Sequence, residues 1–510
     1  MLDPAGTRRW RSSSTAGTAL VMTDPPASSE QSLTPEQPPA HGRSTATEQS
    51  ESGRPESGRS TVPGRSEAAE AFVLRGVHVL DRTGRFGEPT DVAVGGGIIH
   101  AVGTRLGLDR DAVDVDAHDL WLMPGVVDCH AHVTQSTYDP FELATASLST
   151  RVLQTAAALR ASLAAGVTHL RDAGGADAGI RDAVSAGTVP GPRLAVSVVG
   201  LSRSGRHGDG AIIGPGLESA EDLLMPDYPG RPPHTVTEAG SLPASVRGIL
   251  RAGADWIMIY ASGGVMSARP GQPEPQFSPV ELAAAVAEAR RYGRPVMMHA
   301  LGERSIEAAV AAGARSIEHG IGLTEPVAAA MAAAGVTLVP TLSPYQDLAA
   351  LAATGVLPGW AADRAEATEA ALAGTIAVAR AAGVPIALGS DARHRTRHGA
   401  NLAEISRLRH AGLTPPEALL AATATGARLF GLGEGAGRIA VGSAFDAILL
   451  DADPGDLSIF ERPGAVSGVF LGGRAVLPHP RLPGKLVRPT MVMEEVPRIV
   501  PERPAVSPPG

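Results

Sequence analysis

Two histidines stand two residues apart, His130 and His132, at the end of an apolar run, Met123-Pro-Gly-Val-Val-Asp-Cys-His-Ala-His-Val133. Alternate side chains of a strand share a face, so both imidazoles are expected to project together from a short buried strand. Two imidazoles on one face are half of a zinc site. Downstream, other apolar stretches end on groups of the same kind. His299 closes Val296-Met297-Met298-His299, His319 closes Ile317-Glu318-His319, and Asp391 follows Ala387-Leu388-Gly389-Ser390. Histidines and a carboxylate brought to one point can hold a metal ion that activates water for hydrolysis.

Bringing these groups together requires a scaffold that gathers strand ends. The candidate strands are Val126–Val133, Val167–Asp172, Arg193–Val199, Trp256–Ala261, Pro295–His299, Ser316–His319, Thr337–Pro340 and Pro385–Ser390. Most are followed by an Ala-rich segment of helical length, as in Pro279–Arg291 and Ser305–Ala312. This alternation predicts an α/β chain folded as a (β/α)8 TIM barrel, in which active sites sit at the carboxyl ends of the strands. An open doubly wound sheet is the alternative, but its Gly-rich phosphate turn is missing after the first strand. The segment from Ser202 to Pro243 follows the third strand and has little periodicity, which makes it a candidate lid.

Short strand-and-turn patterns flank the barrel on both sides. Phe72–Leu80, Asp91–Val94 and Ile98–Gly103, the last two joined across Gly95-Gly96-Gly97, precede it; Asp446–Leu450 and Val466–Phe470 follow it. Both ends of the chain are expected to build one small β-sandwich. The expected organisation is a disordered tail over 1–68, sandwich over 69–122, barrel over 123–431, sandwich again over 432–487 and a disordered tail over 488–510. The tails are rich in Ser, Pro, Gly and charged residues and have too little apolar surface to offset ordering entropy.

Composition narrows the function classes. The 510 residues are 43% hydrophobic and 19% charged, with a net charge of -9 and 3% aromatic residues. That excludes a basic nucleic-acid footprint and a base-stacking platform. No apolar run reaches membrane-spanning length, so no membrane partner is expected. Cys129 is the single cysteine, which rules out an intrachain disulfide and suits a reducing, cytoplasmic location. Arg8-Arg9 precede only a short, weakly apolar stretch, a poor match to an export signal, and Met22 is a possible alternative start. The Ala, Gly, Pro and Arg content suggests a high-GC, actinobacterial genome.

The motifs together resemble the amidohydrolase superfamily, in its imidazolonepropionase-like branch with Xaa-Pro dipeptidases and N-acyl amino acid hydrolases. The matching pieces are MPGVVDCHAHV, GVTHLRDAGG, GADWIMIYASGGVMS, VMMHALG, SIEHG, LVPTL, ALGSDA, HGANLAEI and GRIAVGSAFDAILLDADP. The resemblance runs from about Phe72 to Leu482. It implies a metal-bearing barrel capped by a sandwich, and hydrolysis of amide bonds. One position departs from the binuclear members. Where they carry a lysine that becomes a metal-bridging carbamate, this chain has Met258, a neutral thioether. The expectation is therefore one Zn2+ per chain, held by His130, His132, His299 and Asp391. The resemblance also implies that Asp391 takes the proton of the attacking water and His319 stabilises the oxyanion.

Substrate contacts are expected from His207 and Arg206 in SGRHGD, Tyr260 on the fourth strand, Tyr345 after the seventh and His398 after the eighth. Arg203 and Tyr228 are further candidates. Arg393, His394, Arg395 and Arg397 crowd one loop and suggest an anionic substrate end. Cys129 is expected to be a buried, inert thiol. The leading expectation is a mononuclear zinc amidohydrolase acting on a small peptide, an N-acyl amino acid or a modified peptide of a natural-product pathway. Two alternatives stand beside it, ring opening of a cyclic amide and a ligand-binding homologue that has lost its chemistry. A homo-oligomer is a further expectation.

Overall fold

The computed structural model describes residues 71–107, 112–209, 222, 225–265, 274–353 and 359–486. The expected tails and the middle of the insertion after the third barrel strand lie outside them.

A ring of parallel strands forms the centre. Val126–Ala131 pairs with Val167–Asp172, which pairs with Arg193–Val196. The third strand then kinks at Val198, a β-branched residue at φ 66°, and resumes as Gly200–Arg203 beside Ile257–Tyr260. The sequence pattern predicts one unbroken third strand; the left-handed residue at its end divides it. Ile257–Tyr260, Val296–Ala300, Ser316–His319 and Thr337–Val339 continue the ring in order. The eighth segment closes it. Leu338 N donates to Pro385 O and Ala387 N to Leu338 O, both at 2.9 Å. On its other side Cys129 N donates to Leu388 O at 2.9 Å and Asp391 N to His130 O at 2.7 Å. The fold is thus the α/β barrel expected, closed by an eighth strand whose pairing is irregular where it carries Asp391.

Helices cover the outside, and their ends are set locally. The helix Pro279–Arg291 begins with a reciprocal cap between Ser278 and Glu281 and has Pro279 in its first turn, where a missing N–H costs nothing. The helix Glu303–Ala312 ends on Gly313 at φ 92°, a left-handed residue that stops it. The outer core, including Leu163, Leu170, Ile249, Ile257, Ile306 and Leu388, lies between strands and helices. A separate inner cluster fills the barrel with Val127, Cys129, Trp256, Met258, Met297, Val339 and Ala387.

Strands from both ends of the chain share one further sheet, in the order Arg474–Leu477, Val466–Leu471, Ala447–Leu450, Trp121–Pro124, Phe72–Val79, Thr90–Gly95, Ile98–Gly103, with Val113–Asp116 also on Phe72–Val79. Gly96 and Gly97, both at positive φ, form the two-residue turn of its hairpin. Phe72, Phe445 and Phe470 pack ring against ring, with centroids 4.9–5.8 Å apart. Met123 and Pro124, which the sequence pattern assigns to the barrel, pair in this sheet with Ala447 and Ile448. The chain passes to the barrel through Gly125, where a Cβ would meet the Thr168 side chain at 2.1 Å, so only glycine fits.

Candidate active site

The carboxyl ends of the barrel strands hold the titratable groups. His130 Nε2 lies 3.7 Å and His132 Nε2 3.5 Å from Asp391 Oδ1. All three side chains are buried, and their ligand atoms lie within 4.8 Å of one another. The tautomers follow from the other ring nitrogens. His132 Nδ1 is 3.0 Å from Gly174 O, which can only accept, and His130 Nδ1 is 2.7 Å from the carboxylate of Glu318. Each Nδ1 therefore carries its proton, leaving the Nε2 lone pairs directed at the Asp391 side. His130 Nε2 is buried with no hydrogen-bond partner. Two imidazole lone pairs and a carboxylate facing one point are a donor set for a divalent ion, so these residues fit the metal that the sequence implies.

A buried charge network supports His130 from inside the barrel. Glu318 accepts from His130 Nδ1 and, at 2.9 Å, from Arg171 Nη2; Arg171 also donates to Ser316 Oγ at 3.1 Å and to Cys129 O at 2.5 Å. Its guanidinium lies 4.4 Å over the Trp256 ring. Burial alone would raise the Glu318 carboxyl, but Arg171 and the His130 hydrogen bond outweigh it and hold it below its ordinary range. Asp128, on the same strand as the histidines, accepts from Ser390 N at 2.9 Å, Ser390 Oγ at 2.6 Å and Asn401 Nδ2 at 2.9 Å. It thereby ties the first strand to the residue before Asp391. Asp172 accepts from Val133 N at 2.9 Å and from Gly174 N and Ala176 N at 3.0 Å, which fixes the carbonyl that His132 meets.

The remaining predicted residues separate into two groups. His319, His299, His207, Tyr260 and Tyr345 are adjacent. His319 lies 5.3 Å from His130, 4.7 Å from His299 and 5.9 Å from Tyr345 between ring centroids. His207 stacks on His299 at 4.8 Å and meets Tyr260 edge-on at 5.1 Å. His299 is not one of the three convergent ligands; its Nε2 lies 3.3 Å from Gly263 O. Burial lowers His132, His299 and His319 well below the ordinary histidine range, so these rings are neutral at neutral pH. His319 Nδ1 shares a 2.5 Å hydrogen bond with Thr341 Oγ1. His319, Thr341 and Asp391 all have positive φ, 68°, 51° and 46°, so three strand ends at this mouth carry backbone strain.

The second group is engaged elsewhere. Arg206, half-buried, faces the exposed Glu274 at 3.6 Å. Arg203 pairs with Glu281 and lies 4.8 Å over the Phe277 ring. His398 is buried, with Nε2 2.9 Å from Gln135 O. Tyr228 lines a different cavity of about 530 Å³, with Arg231 and His234. Met258 is 1% exposed in the barrel's inner cluster beside Cys129, and Trp256 and Tyr260 share its face. Cys129 is buried, its thiol pushed up to about 12 by desolvation. Sequence reasoning assigned nothing to Glu318, Arg171, Asp128 or Asp172. A signal existed, since each is a charged residue inside a strand that must be buried, and buried charges need partners.

A closed barrel whose carboxyl rim gathers His130, His132 and Asp391, a set that could hold a metal ion, is flanked by a sheet from both chain ends. The model of the amidohydrolase family matches residues 121–476, and the chain belongs to that family, hydrolases of carbon–nitrogen amide bonds. Among curated proteins it is 33% identical over 365 residues to an ochratoxinase of Aspergillus niger, covering 69% of this chain and 75% of that one. An uncharacterised Mycobacterium bovis protein is 30% identical over 305 residues, covering 59% and 72%. Among solved structures, a prolidase complexed with N-methylphosphonate-L-proline superposes with a TM-score of 0.72 at 33% identity, covering 79% of this chain and 99% of that one. The structure of A. niger ochratoxinase superposes with a TM-score of 0.71 at 27% identity, covering 83% and 99%.

Proposed function

We propose that this chain hydrolyses the amide bond of an N-acyl amino acid, an Xaa-Pro-like dipeptide or a modified small peptide, using one zinc ion per chain. The observation that carries this reading is the convergence of His130 Nε2, His132 Nε2 and Asp391 Oδ1 at the barrel mouth. Met258 supports a single ion, because a thioether in an apolar wall offers no anionic bridge. The names of the relatives, an ochratoxinase and a prolidase, support an amide substrate that contains an amino acid.

When bound, the ion supplies an activated water and polarises the scissile carbonyl. His130 and His132 would hold it, with Asp391 and, after release from the Gly263 carbonyl, His299. Asp391 accepts the proton of the water and returns it to the leaving amine. His319, neutral and oriented by Thr341, donates to the carbonyl oxygen as charge builds there. His207, Tyr260 and Tyr345 line the approach to these groups, while Arg206 and His398 would have to leave their present partners to reach a substrate.

The test is metal analysis of protein purified without chelator, combined with a hydrolysis screen over acyl amino acids, dipeptides and cyclic amides. One zinc per chain and cleavage of linear amides are expected. Cleavage confined to cyclic amides, or no metal and no turnover, would overturn the reading. No helix among the described residues is long and apolar enough to cross a membrane. The same reading includes a cytoplasmic location, a small-molecule or peptide partner without nucleic acid, and self-association, which sedimentation would measure.

A further inference from the structure

The loop after the eighth barrel strand carries Arg393, His394, Arg395 and Arg397. Three of them are taken up by neighbouring protein. Arg395 Nη1 donates to Glu142 Oε1 at 2.7 Å, Arg397 pairs with Asp347, and His394 bonds to Thr396 at 2.8 Å and stacks on Tyr138. Arg393 turns inward. Its Nε and Nη2 donate to the two oxygens of Asp391 at 2.7 and 3.2 Å, a fork-on-carboxylate pair. Its side chain keeps 28% of its surface open to solvent, against 2% for that of Asp391.

A divalent ion held by His130, His132 and Asp391 claims the same carboxylate. Two cations on one carboxylate repel each other strongly in a site with little water. Among the described residues, Asp391 is the sole acidic side chain in a salt bridge with Arg393. Loading the metal therefore leaves a guanidinium at the mouth without a counter-charge. We propose that Arg393 is the anion receptor of this site, binding the free carboxylate of the amino acid part of the substrate when metal takes Asp391. The assignment rests on the amide-hydrolase reading above and narrows it: substrates with a free carboxylate are selected, and amidated ones are refused. Guanidinium suits this task because its planar fork matches a carboxylate and its charge does not titrate away.

The experiment reads binding rather than turnover. Zinc affinity is measured by competition with a chromophoric chelator, with and without N-methanesulfonyl derivatives of L-proline, L-leucine and L-methionine. Each compound is used as the free acid and as the carboxamide, and in all of them a sulfonyl group replaces the N-acyl group, so no N-acyl bond is present to hydrolyse. In the wild type the acids should tighten zinc binding about tenfold or more, because they draw Arg393 off Asp391, whereas carboxamides should not. Arg393→Gln should bind zinc more tightly by itself and lose the coupling; Arg393→Lys should keep part of it. Melting curves of both variants check the fold. Coupling that survives in Arg393→Gln, or carboxamides that match the acids, would overturn the assignment. A wild type that hydrolyses amides without any such coupling refutes the role of Arg393 alone. A chain that cleaves no amide refutes the earlier reading, while the coupling is still measured.

Discussion

The Asp391 carboxylate faces two imidazoles at 3.5 and 3.7 Å and a guanidinium at 2.7 Å. As the proposed proton acceptor it cannot be replaced by an amide. Asp391→Asn is expected to lower kcat by roughly 10²–10⁴ with the fold retained, and an unaffected rate in steady-state assays would remove its assigned role. Glu318 acts one residue further back. It holds the Nδ1 proton of His130 and neutralises Arg171 in a fully buried setting. Glu318→Gln leaves the Arg171 charge unpaired, so a loss of about 3–5 kcal/mol in urea unfolding is expected. Zinc affinity, measured by chelator competition, should fall roughly 10–100-fold, because the imidazole loses its orienting partner.

At the scale of elements, the work is done by strand ends rather than whole strands. Val198 is left-handed where the third barrel strand divides, and His319, Thr341 and Asp391 are left-handed at the ends of the sixth, seventh and eighth. That geometry turns the chain sharply and aims the side chains of the last three across the mouth. The fourth strand differs, since its Met258 packs among Val127, Cys129 and Met297 as ordinary core. Met258→Lys would place an ammonium in that apolar wall. The melting temperature should fall in bicarbonate-free buffer, and bicarbonate should restore it with metal content rising above one per chain. Metal analysis without any bicarbonate response would mean that the wall has no room for a carbamate.

For the whole molecule, stability should depend on pH through buried neutral histidines. Burial pushes His398 down to about 4 from an ordinary value of 6.5. The unfolded chain thus binds a proton that the native chain refuses. The resulting stability is present above pH 6.5 and is lost as pH falls through 4. For His398 alone it amounts to on the order of 3 kcal/mol. Urea midpoints of chelator-treated protein should fall steadily from pH 7 to pH 4, and His398→Gln should flatten that slope. An unchanged slope would mean that other groups set the acid limit.

Much of this molecule was legible because its signals are local. The Pro124-Gly125 break, the His130–His132 spacing and the alternation of apolar runs with Ala-rich segments are set by neighbours in sequence, and they mark the barrel and two of its candidate metal ligands. The Gly96-Gly97 hairpin follows from backbone sterics alone. What the pattern could not supply depends on distance through space. Val198 breaks the third strand at a positive φ that no propensity of valine predicts. Glu318 and Arg171, far apart in sequence, meet only because their strands both face the interior. Arg393 and Arg395 look alike in a basic loop, yet one reaches Asp391 and the other Glu142. Residue type and spacing determined which chemistry the chain can attempt. Tertiary structure decided which charges confront one another, because electrostatic partners are chosen by distance in a folded, poorly solvated interior.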